Sequence, residues 1–247
     1  MRLAVFADVH ANLAALEAVL DDIDSRGVDL RVCLGDVVGY NAQPRECLAL
    51  VRERVEHVVA GNHDLSACSD HRAPGTHRTA REMQEWTAEQ LRENEKEWLR
   101  GLPRRVEGAE WMGVHGCYLN DFHVEGYVTR TMVPANLEAI AANPGWPKLG
   151  FCGHTHIPVT AYSRLGSVVE MSVPRMRWPA EFDAVLVNPG AVGQPRDGDW
   201  RASYAIVDTE QRTVENIRLR YDLEATLRSI EAAGLPGAIG ERLEKGV

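Results

Sequence analysis

The sequence predicts an α/β protein built as a layered sandwich, in which two packed β-sheets are covered by helices. Three observations support this. The N-terminal third alternates short apolar runs with helical patterns in the order βαβαβ, which implies a parallel sheet with right-handed crossovers. The remainder contains more strand-like stretches than one small sheet accommodates. With 45% hydrophobic and 26% charged residues, the composition is close to that of folded globular proteins.

The N-terminal elements are predicted in order from their apolar spacing. A buried strand is expected over 2–7 and is followed by a helix in which Leu13, Leu16, Leu20 and Ile23 form one apolar face before Gly27. A second strand is expected over 30–34 and a third over 57–60, separated by a helix over 44–54 that begins with a proline.

The segment 79–102 is polar and helical, with a narrow apolar stripe. We expect a helical excursion at about 65–103, either packed on the core or serving as a lid over a site. Further strands are expected at 110–114, 148–152, 159–163, 167–171, 184–187, 203–208 and 214–220. Helices are expected near 135–142 and from the N-cap Asp222 to Gly234. Because no repeat or linker is present, residues 1–247 are expected to form a single domain.

The charge and cysteine content limit the classes of partner. Lys and Arg number 27 against 36 Asp and Glu, for a net charge of −9, which opposes sequence-independent binding to nucleic acid or anionic membrane. No run approaches the roughly 18 apolar residues of a membrane helix. The five cysteines lack CxxC spacing, which favours reduced thiols. We therefore expect a cytoplasmic protein without membrane or extended nucleic-acid partners. The sequence leaves open whether the chain forms a homo-oligomer.

Polar, metal-competent residues follow the predicted strand ends, where functional side chains of such folds gather. Singly, several have ordinary explanations: Asp8 can cap a helix, Gly35-Asp36 is common in turns, and His115 can be a core histidine. Because such residues occur at all five predicted strand ends, a single shared site is favoured over five unrelated coincidences. The five places are Asp8-Val9-His10, Gly35-Asp36, Gly61-Asn62-His63-Asp64, His115-Gly116 and Gly153-His154-Thr155-His156.

The chemistry of these residues predicts the kind of metal. Carboxylate oxygens, imidazole nitrogens and an amide oxygen, without thiolates, suit Mn²⁺, Fe²⁺, Co²⁺, Ni²⁺ or Zn²⁺ and disfavour Ca²⁺. The pairs Asp8/His10 and His154/His156 can each point to one side if the backbone stays extended. Seven ligands exceed the needs of one tetrahedral ion, so two ions roughly 3.5–4 Å apart are predicted, with a bridging hydroxide as nucleophile.

The series from Asp8 to His156 resembles the motifs of the calcineurin-like metallophosphoesterase superfamily, in the same order. The later Asn188-Pro189-Gly190 and Gly193-Gln194-Pro195-Arg196-Asp197 resemble its small bacterial and archaeal phosphoesterase branch. The resemblance implies a four-layer αββα sandwich of two mixed β-sheets flanked by helices, with a dinuclear centre at one edge.

The resemblance also implies roles for individual residues. The first metal would be held by Asp8, His10, Asp36 and His156. The second would be held by Asp36, Asn62, His115 and His154, with Asp36 as the bridge. His63 would contact the phosphate and act as general acid. The implied cofactors are two divalent transition-metal ions, with Mn first and then Fe, Zn, Ni or Co.

The chain departs from relatives that dephosphorylate proteins. Residues 37–41 lack the Asp and Arg of that branch. Cys117-Tyr118-Leu119 also stands where many small relatives carry a Ser-Pro-Arg-like loop, so a phosphate-binding Arg is absent at that place. Candidates to contact substrate instead are Asn12, Tyr40, Arg78 and Arg196, although each also fits a cap, core, helix-surface or turn position. Asp64 is expected either to orient His63 or to accept from backbone amides.

We expect a metal-dependent phosphoesterase that acts on phosphomonoester or phosphodiester bonds of a small, nucleotide-like substrate. A nuclease uses the same metals but needs a basic surface that this composition does not supply. A phosphoprotein phosphatase and a non-catalytic scaffold of the same fold are two further hypotheses, and a complete set of ligands weighs against the scaffold.

Overall fold

The computed structural model describes residues 1–69, 78–120, 123–171 and 174–247. Its strands in chain order are β1 Arg2–Phe6, β2 Leu30–Cys33, β3 His57–Val58, β4 Arg105–Glu107, β5 Trp111–Val114, β6 Leu149–Phe151, β7 Val159–Arg164, β8 Ser167–Met171, β9 Arg175–Arg177, β10 Ala184–Asn188, β11 Ala202–Asp208 and β12 Thr213–Leu219. Its α-helices are α1 Leu13–Asp24, α2 Pro44–Arg54, α3 Asn62–Cys68, α4 Arg78–Gln90, α5 Glu93–Arg100, α6 Val133–Ala142, α7 Leu223–Ala232 and α8 Gly237–Lys245. A short 3-10 helix, Arg130–Met132, precedes α6.

The strands form two mixed six-stranded sheets. The first has the order β3-β2-β1-β11-β12-β9, in which β1, β2 and β3 are parallel and β11, β12 and β9 are antiparallel to their neighbours. The second has the order β4-β5-β6-β10-β7-β8, with a parallel centre of β5, β6 and β10. The parallel βαβαβ start predicted from the sequence is confirmed.

Alternate residues of β1 face two different cores. Leu3 and Val5 contact the apolar cluster between the sheets, which also contains Trp111 and Phe151 of the second sheet. Ala4 and Phe6 face the other way, toward the helix layer of α1. On the outside of the second sheet, α6 buries its apolar face. The helix, sheet, sheet, helix order confirms the predicted αββα sandwich.

Several predicted boundaries move, and five elements were not predicted, one of them the short 3-10 helix. The polar helical segment divides into α4 and α5, and its part at 70–77 lies outside the described residues. Of the unpredicted elements, β4 and β9 are three-residue strands at or near sheet edges, too short to show a period. The others are α3, which begins within the motif at Asn62, and α8, which begins at a glycine. Asp222 caps α7 as predicted, its carboxylate accepting from the amide of Ala225 at 2.9 Å.

Among the described residues, every helix is too short or too polar to cross a membrane.

Candidate metal centre

The predicted ligands lie at one edge of the sandwich, where strands of both sheets end. Asp8 and His10 follow β1, Asp36 follows β2, and Asn62 begins α3. His115 follows β5, and His154 and His156 follow β6. The two sheets are tied together there, because the amide of His154 donates to Asp8 Oδ2 at 3.1 Å. All seven predicted ligands are therefore brought to one place.

Left-handed backbone turns, rather than extended chain, aim the ligands inward. Five ligands have φ between +47° and +67°, namely Asp8, His10, Asp36, His154 and His156. The expectation of extended i,i+2 pairs was therefore wrong. A left-handed conformation costs about 1–2 kcal/mol for each such residue. Hydrogen bonds between the backbones of neighbouring loops stabilise these conformations, such as the bond from His10 N to Asp36 O at 2.9 Å.

The first cluster consists of Asp8, His10, Asp36 and His156, all buried, with ligand atoms within 4.8 Å of one another. His156 Nε2 lies 3.4 Å from Asp8 Oδ1, and His10 Nε2 lies 3.6 Å from Asp36 Oδ2. The Nε2 atoms of His10 and His156 face each other at 3.1 Å. This is the residue set that the family resemblance implied for one metal ion.

The second cluster consists of Asp36, His115 and His154, with Asn62 beside them. His115 Nε2 lies 3.3 Å from Asp36 Oδ2, 3.2 Å from Asn62 Oδ1 and 3.1 Å from His154 Nδ1. His10 and His115 thus approach the same carboxylate oxygen from the two clusters. Asp36 therefore belongs to both clusters.

The unsatisfied atoms fit divalent cations. Asp8 Oδ1 and Asp36 Oδ2 are buried without a hydrogen-bond partner among the described residues, a costly state for carboxylate oxygens that a cation would relieve. The Nδ1 atoms of three histidines bond to main-chain carbonyls, which places the proton on Nδ1 and the Nε2 lone pair toward the centre. These bonds are His10 to Val38 O at 3.2 Å, His115 to Leu34 O at 2.7 Å and His156 to Gln194 O at 2.5 Å.

The electrostatics keep most imidazoles in the neutral form that a metal requires. Burial holds the pKa values of His10 and His156 well below 6.5. Burial, assisted by His115, lowers the pKa of His154 to about 3. His115 is the exception, because the Asp36 carboxylate outweighs burial and raises the pKa of His115 to about 9.

The two carboxylates differ in their surroundings. Burial, opposed by His115, raises the pKa of Asp8 to about 7. Burial acts in the same direction on Asp36, but the imidazoles of His115, His63 and His10 outweigh it and hold the pKa of Asp36 well below 3.8. Asp36 is therefore the carboxylate that stays charged most readily.

Asp64 supports the loop that carries Asp36. Its carboxylate accepts from the amides of Asp36 at 2.8 Å, Val37 at 2.9 Å, Val38 at 3.2 Å and Gly61 at 2.9 Å. Among the described residues His63 Nδ1 has no hydrogen-bond partner, so Asp64 does not orient the ring through that atom. Of the two roles predicted for Asp64, the structure shows the backbone one.

His63 lies against the first cluster. Its amide donates to Asp36 Oδ1 at 2.8 Å, and its ring centroid lies 4.9 Å from that of His10 and 4.6 Å from that of Tyr40. Burial lowers the pKa of His63, while Asp36 acts in the opposite direction. The imidazole is therefore placed beside the cluster without being part of it.

The four predicted substrate contacts have different surroundings. Asn12 is fully buried, and its amide donates to Gly193 O and Tyr221 Oη while its oxygen accepts from Ala15 N and Thr226 Oγ1. Both amide hydrogens and the oxygen of Asn12 are thus used inside the protein, which fits the capping position that the sequence also allowed. The side chain of Arg78 lies outside the described residues.

Tyr40 and Arg196 do lie at the centre. The Tyr40 ring is 4.8 Å from that of His10, and the Arg196 guanidinium is 5.8 Å from the Tyr40 ring centroid. Sequence reasoning missed Tyr127, whose ring stacks 3.9 Å from that of His154 while 48% of the residue stays exposed. Tyr127 follows no strand, so no pattern in the sequence signalled it.

Comparisons with known proteins agree with this architecture. The model of the calcineurin-like phosphoesterase superfamily domain matches residues 1–212. An uncharacterized protein of Methanocaldococcus jannaschii is 34% identical over 244 residues, covering 98% of this chain and 96% of that relative.

Two solved structures are similar along the whole chain. A metallophosphoesterase from Sphaerobacter thermophilus is 35% identical, with a TM-score of 0.84 and coverage of 100% of this chain and 99% of that one. A hypothetical protein from Pyrococcus horikoshii, 22% identical, has a TM-score of 0.80 and coverage of 100% and 98%, and it shows the fold alone.

Proposed function

The chain belongs to the calcineurin-like phosphoesterase superfamily, and we propose that it hydrolyses phosphoester bonds of a small, nucleotide-like substrate using two divalent metal ions. The observation that carries this proposal is the shared Asp36. Its Oδ2, which has no hydrogen-bond partner among the described residues, faces His10 on one side and His115 on the other. Two cations bound in the clusters would supply positive charge for the phosphoryl oxygens and a hydroxide nucleophile at neutral pH.

His63 is the residue we assign as general acid. It lies beside the first cluster, only 6% of the residue is exposed, and its Nδ1 is free of hydrogen bonds among the described residues. A phosphoester anion next to this ring would favour the imidazolium form. The imidazolium can then donate its proton to the leaving oxygen, which neutralises the alkoxide as the phosphorus–oxygen bond breaks.

A small substrate fits the charge of the molecule better than a polynucleotide. The net charge of −9 opposes a long polyanion, whereas a short phosphoester would meet the local positive charge of two bound cations. Tyr127, which lies against His154 with 48% of the residue exposed, offers aromatic surface for a base or aryl group. The five cysteines are all buried, and their lack of CxxC spacing supports a reducing compartment such as the cytoplasm.

Metal removal tests the proposal. Chelator-treated protein, checked by elemental analysis, should lose hydrolysis of an aryl phosphate and a bis-aryl phosphate, and Mn²⁺ should restore it. Rates on both esters and on cyclic nucleotides, with Mn, Fe, Co, Ni and Zn in turn, would separate monoesterase from diesterase activity. Full activity in the stripped protein would refute the metal-dependent mechanism, and binding of metals without turnover on any ester would favour a non-catalytic scaffold.

A further inference from the structure

Two arginines, Arg196 and Arg242, have no Asp or Glu side chain within ion-pair distance of the guanidinium among the described residues. Both residues are half-buried. Half-buried guanidinium groups are normally paired or bound to an anion, because burial removes the water that would otherwise solvate them.

Arg196 is held next to the metal ligands. Its amide donates to His156 O at 3.3 Å, and its Nη2 donates to the neutral side chain of Gln194 at 2.8 Å. Its Nε is buried and has no hydrogen-bond partner in the described part of the chain. The guanidinium also lies 5.8 Å from the Tyr40 ring centroid, and the Tyr40 ring contacts that of His63, so Arg196 is at this side of the centre.

Arg242 reaches the same corner from the C-terminal helix α8. Ile239 and Leu243, one helical turn apart, are buried in the apolar cluster that contains Tyr40. Arg242 is three residues from Ile239, a spacing that makes the two side chains neighbours on the helix surface. Its Nε donates to Val247 O at 2.9 Å, which leaves four N–H donors of the guanidinium for other partners.

A backbone bond ties α8 to the loop that carries Arg196. The amide of Gly198 donates to Gly246 O at 2.9 Å. Burial and the charge of Arg196 lower the pKa of Arg242, while Tyr40 acts in the opposite direction. The Arg196 charge also opposes the burial that raises the pKa of the Tyr127 phenol. The fold thus holds two like charges near each other, an unfavourable arrangement that an anion bound between them would relieve.

We propose that Arg196 and Arg242 bind a second phosphate group of the substrate, next to the phosphoryl group that is hydrolysed. The preferred substrates are then molecules with two linked phosphate groups, such as nucleoside diphosphates and their esters. This rests on the proposed phosphoesterase function, which supplies the place of the first phosphoryl group. Arginine suits the role because its planar fork binds phosphate oxygens in pairs.

Binding without turnover tests this directly. Orthophosphate and the non-hydrolysable methylenediphosphonate would be titrated calorimetrically into the metal-loaded protein at a fixed free Mn²⁺ concentration. Wild type should bind methylenediphosphonate more tightly than orthophosphate. Arg242→Gln and Arg196→Gln should each weaken methylenediphosphonate binding by about tenfold, the size of one charge-assisted contact, and orthophosphate binding by much less. The matched control is Arg228→Gln on α7, an exposed arginine whose partner Asp222 is 3.9 Å away, which should change neither affinity.

The outcomes are distinguishable. Equal affinities for the two ligands in wild type, a measurement that needs no variant, would overturn the second phosphate position. The proposal would also be overturned if an Arg242→Gln variant, shown to be folded by its Tm, bound both ligands with equally reduced affinity or bound both with unchanged affinity. Absence of hydrolysis on every ester would refute the proposed function instead, because the ratio of affinities does not depend on turnover.

Discussion

Asp36 is the residue on which both clusters depend. One of its oxygens accepts from the amide of His63 at 2.8 Å, and the other is left unpartnered between His10 and His115 among the described residues. The Asp64 carboxylate holds the Asp36 loop through main-chain amides. A buried carboxylate with one bonded and one free oxygen is arranged to hold cations rather than to stabilise the apo fold.

Replacing Asp36 by Asn should weaken metal binding in both clusters together. The amide oxygen lacks the negative charge that would attract the cations of both clusters, and the amide nitrogen is a hydrogen-bond donor rather than a metal ligand. Elemental analysis after dialysis should show that both ions are lost. Asp21→Asn, on the surface of α1 with 75% of its side chain exposed, should retain both. Loss of one ion alone from Asp36→Asn would contradict the bridging assignment.

Replacing His63 by Ala should lower kcat about a hundred- to ten-thousandfold, the usual contribution of a general acid, with both metals retained. His57→Ala provides the control, because His57 is also partly buried but contacts Trp111 far from the ligands in the fold. Turnover and metal content measured on the same samples check the assignment. A parallel fall in metal content would mean that His63 helps to hold the metal.

At the scale of elements, strand ends supply the ligands and turns aim them. The sequence allowed the strands to be predicted, because apolar runs and their spacing are local. The left-handed backbone conformations of five ligands could not be predicted from the sequence, because hydrogen bonds to neighbouring loops impose them. These ligands are Asp8, His10, Asp36, His154 and His156. Sequence reasoning also missed α8, which places Arg242.

The contact between α3 and the loop after β2 requires a residue without a side chain. A Cβ at Gly61 would collide with the amide and the Oδ1 of Asp36. Gly61→Ala should therefore lower the free energy of unfolding by about 1–3 kcal/mol and weaken metal binding. Gly237→Ala, where a Cβ meets open space at the start of α8, should leave both unchanged or slightly improved. Equal Tm values and equal metal content in the two variants would argue against this close approach.

At the scale of the whole molecule, two mixed sheets meet with their ligand-bearing ends together. The net charge of −9 belongs to the whole chain, whereas the two clusters contain only two carboxylates, those of Asp8 and Asp36. Bound divalent cations would therefore make the centre locally positive despite the acidic chain. Because ligands come from both sheets, a bound cation would join the halves of the sandwich.

Metal binding should accordingly stabilise the entire fold. Ligands that bind only the native state add about 2.7 kcal/mol per site at a hundredfold excess over Kd. For a chain of this size that corresponds to a rise in Tm of about 5–11 °C per site. Calorimetric melts of stripped and Mn²⁺-loaded protein would measure it. Mg²⁺ is a useful comparison, because these imidazole-rich clusters suit it poorly. An unchanged Tm on loading would contradict a centre that spans both sheets.

The sequence by itself determined the α/β class, the order of most strands and the residues able to bind metal, because periodicity and ligand chemistry are local properties. Only the tertiary structure decided how those residues are used. It placed Asp36 between two clusters, assigned Asp64 to main-chain amides and used every donor of Asn12 inside the protein. It also brought Arg242 beside Arg196. Each of these outcomes depends on which distant segments come into contact, and packing of the sheets and helices decides that.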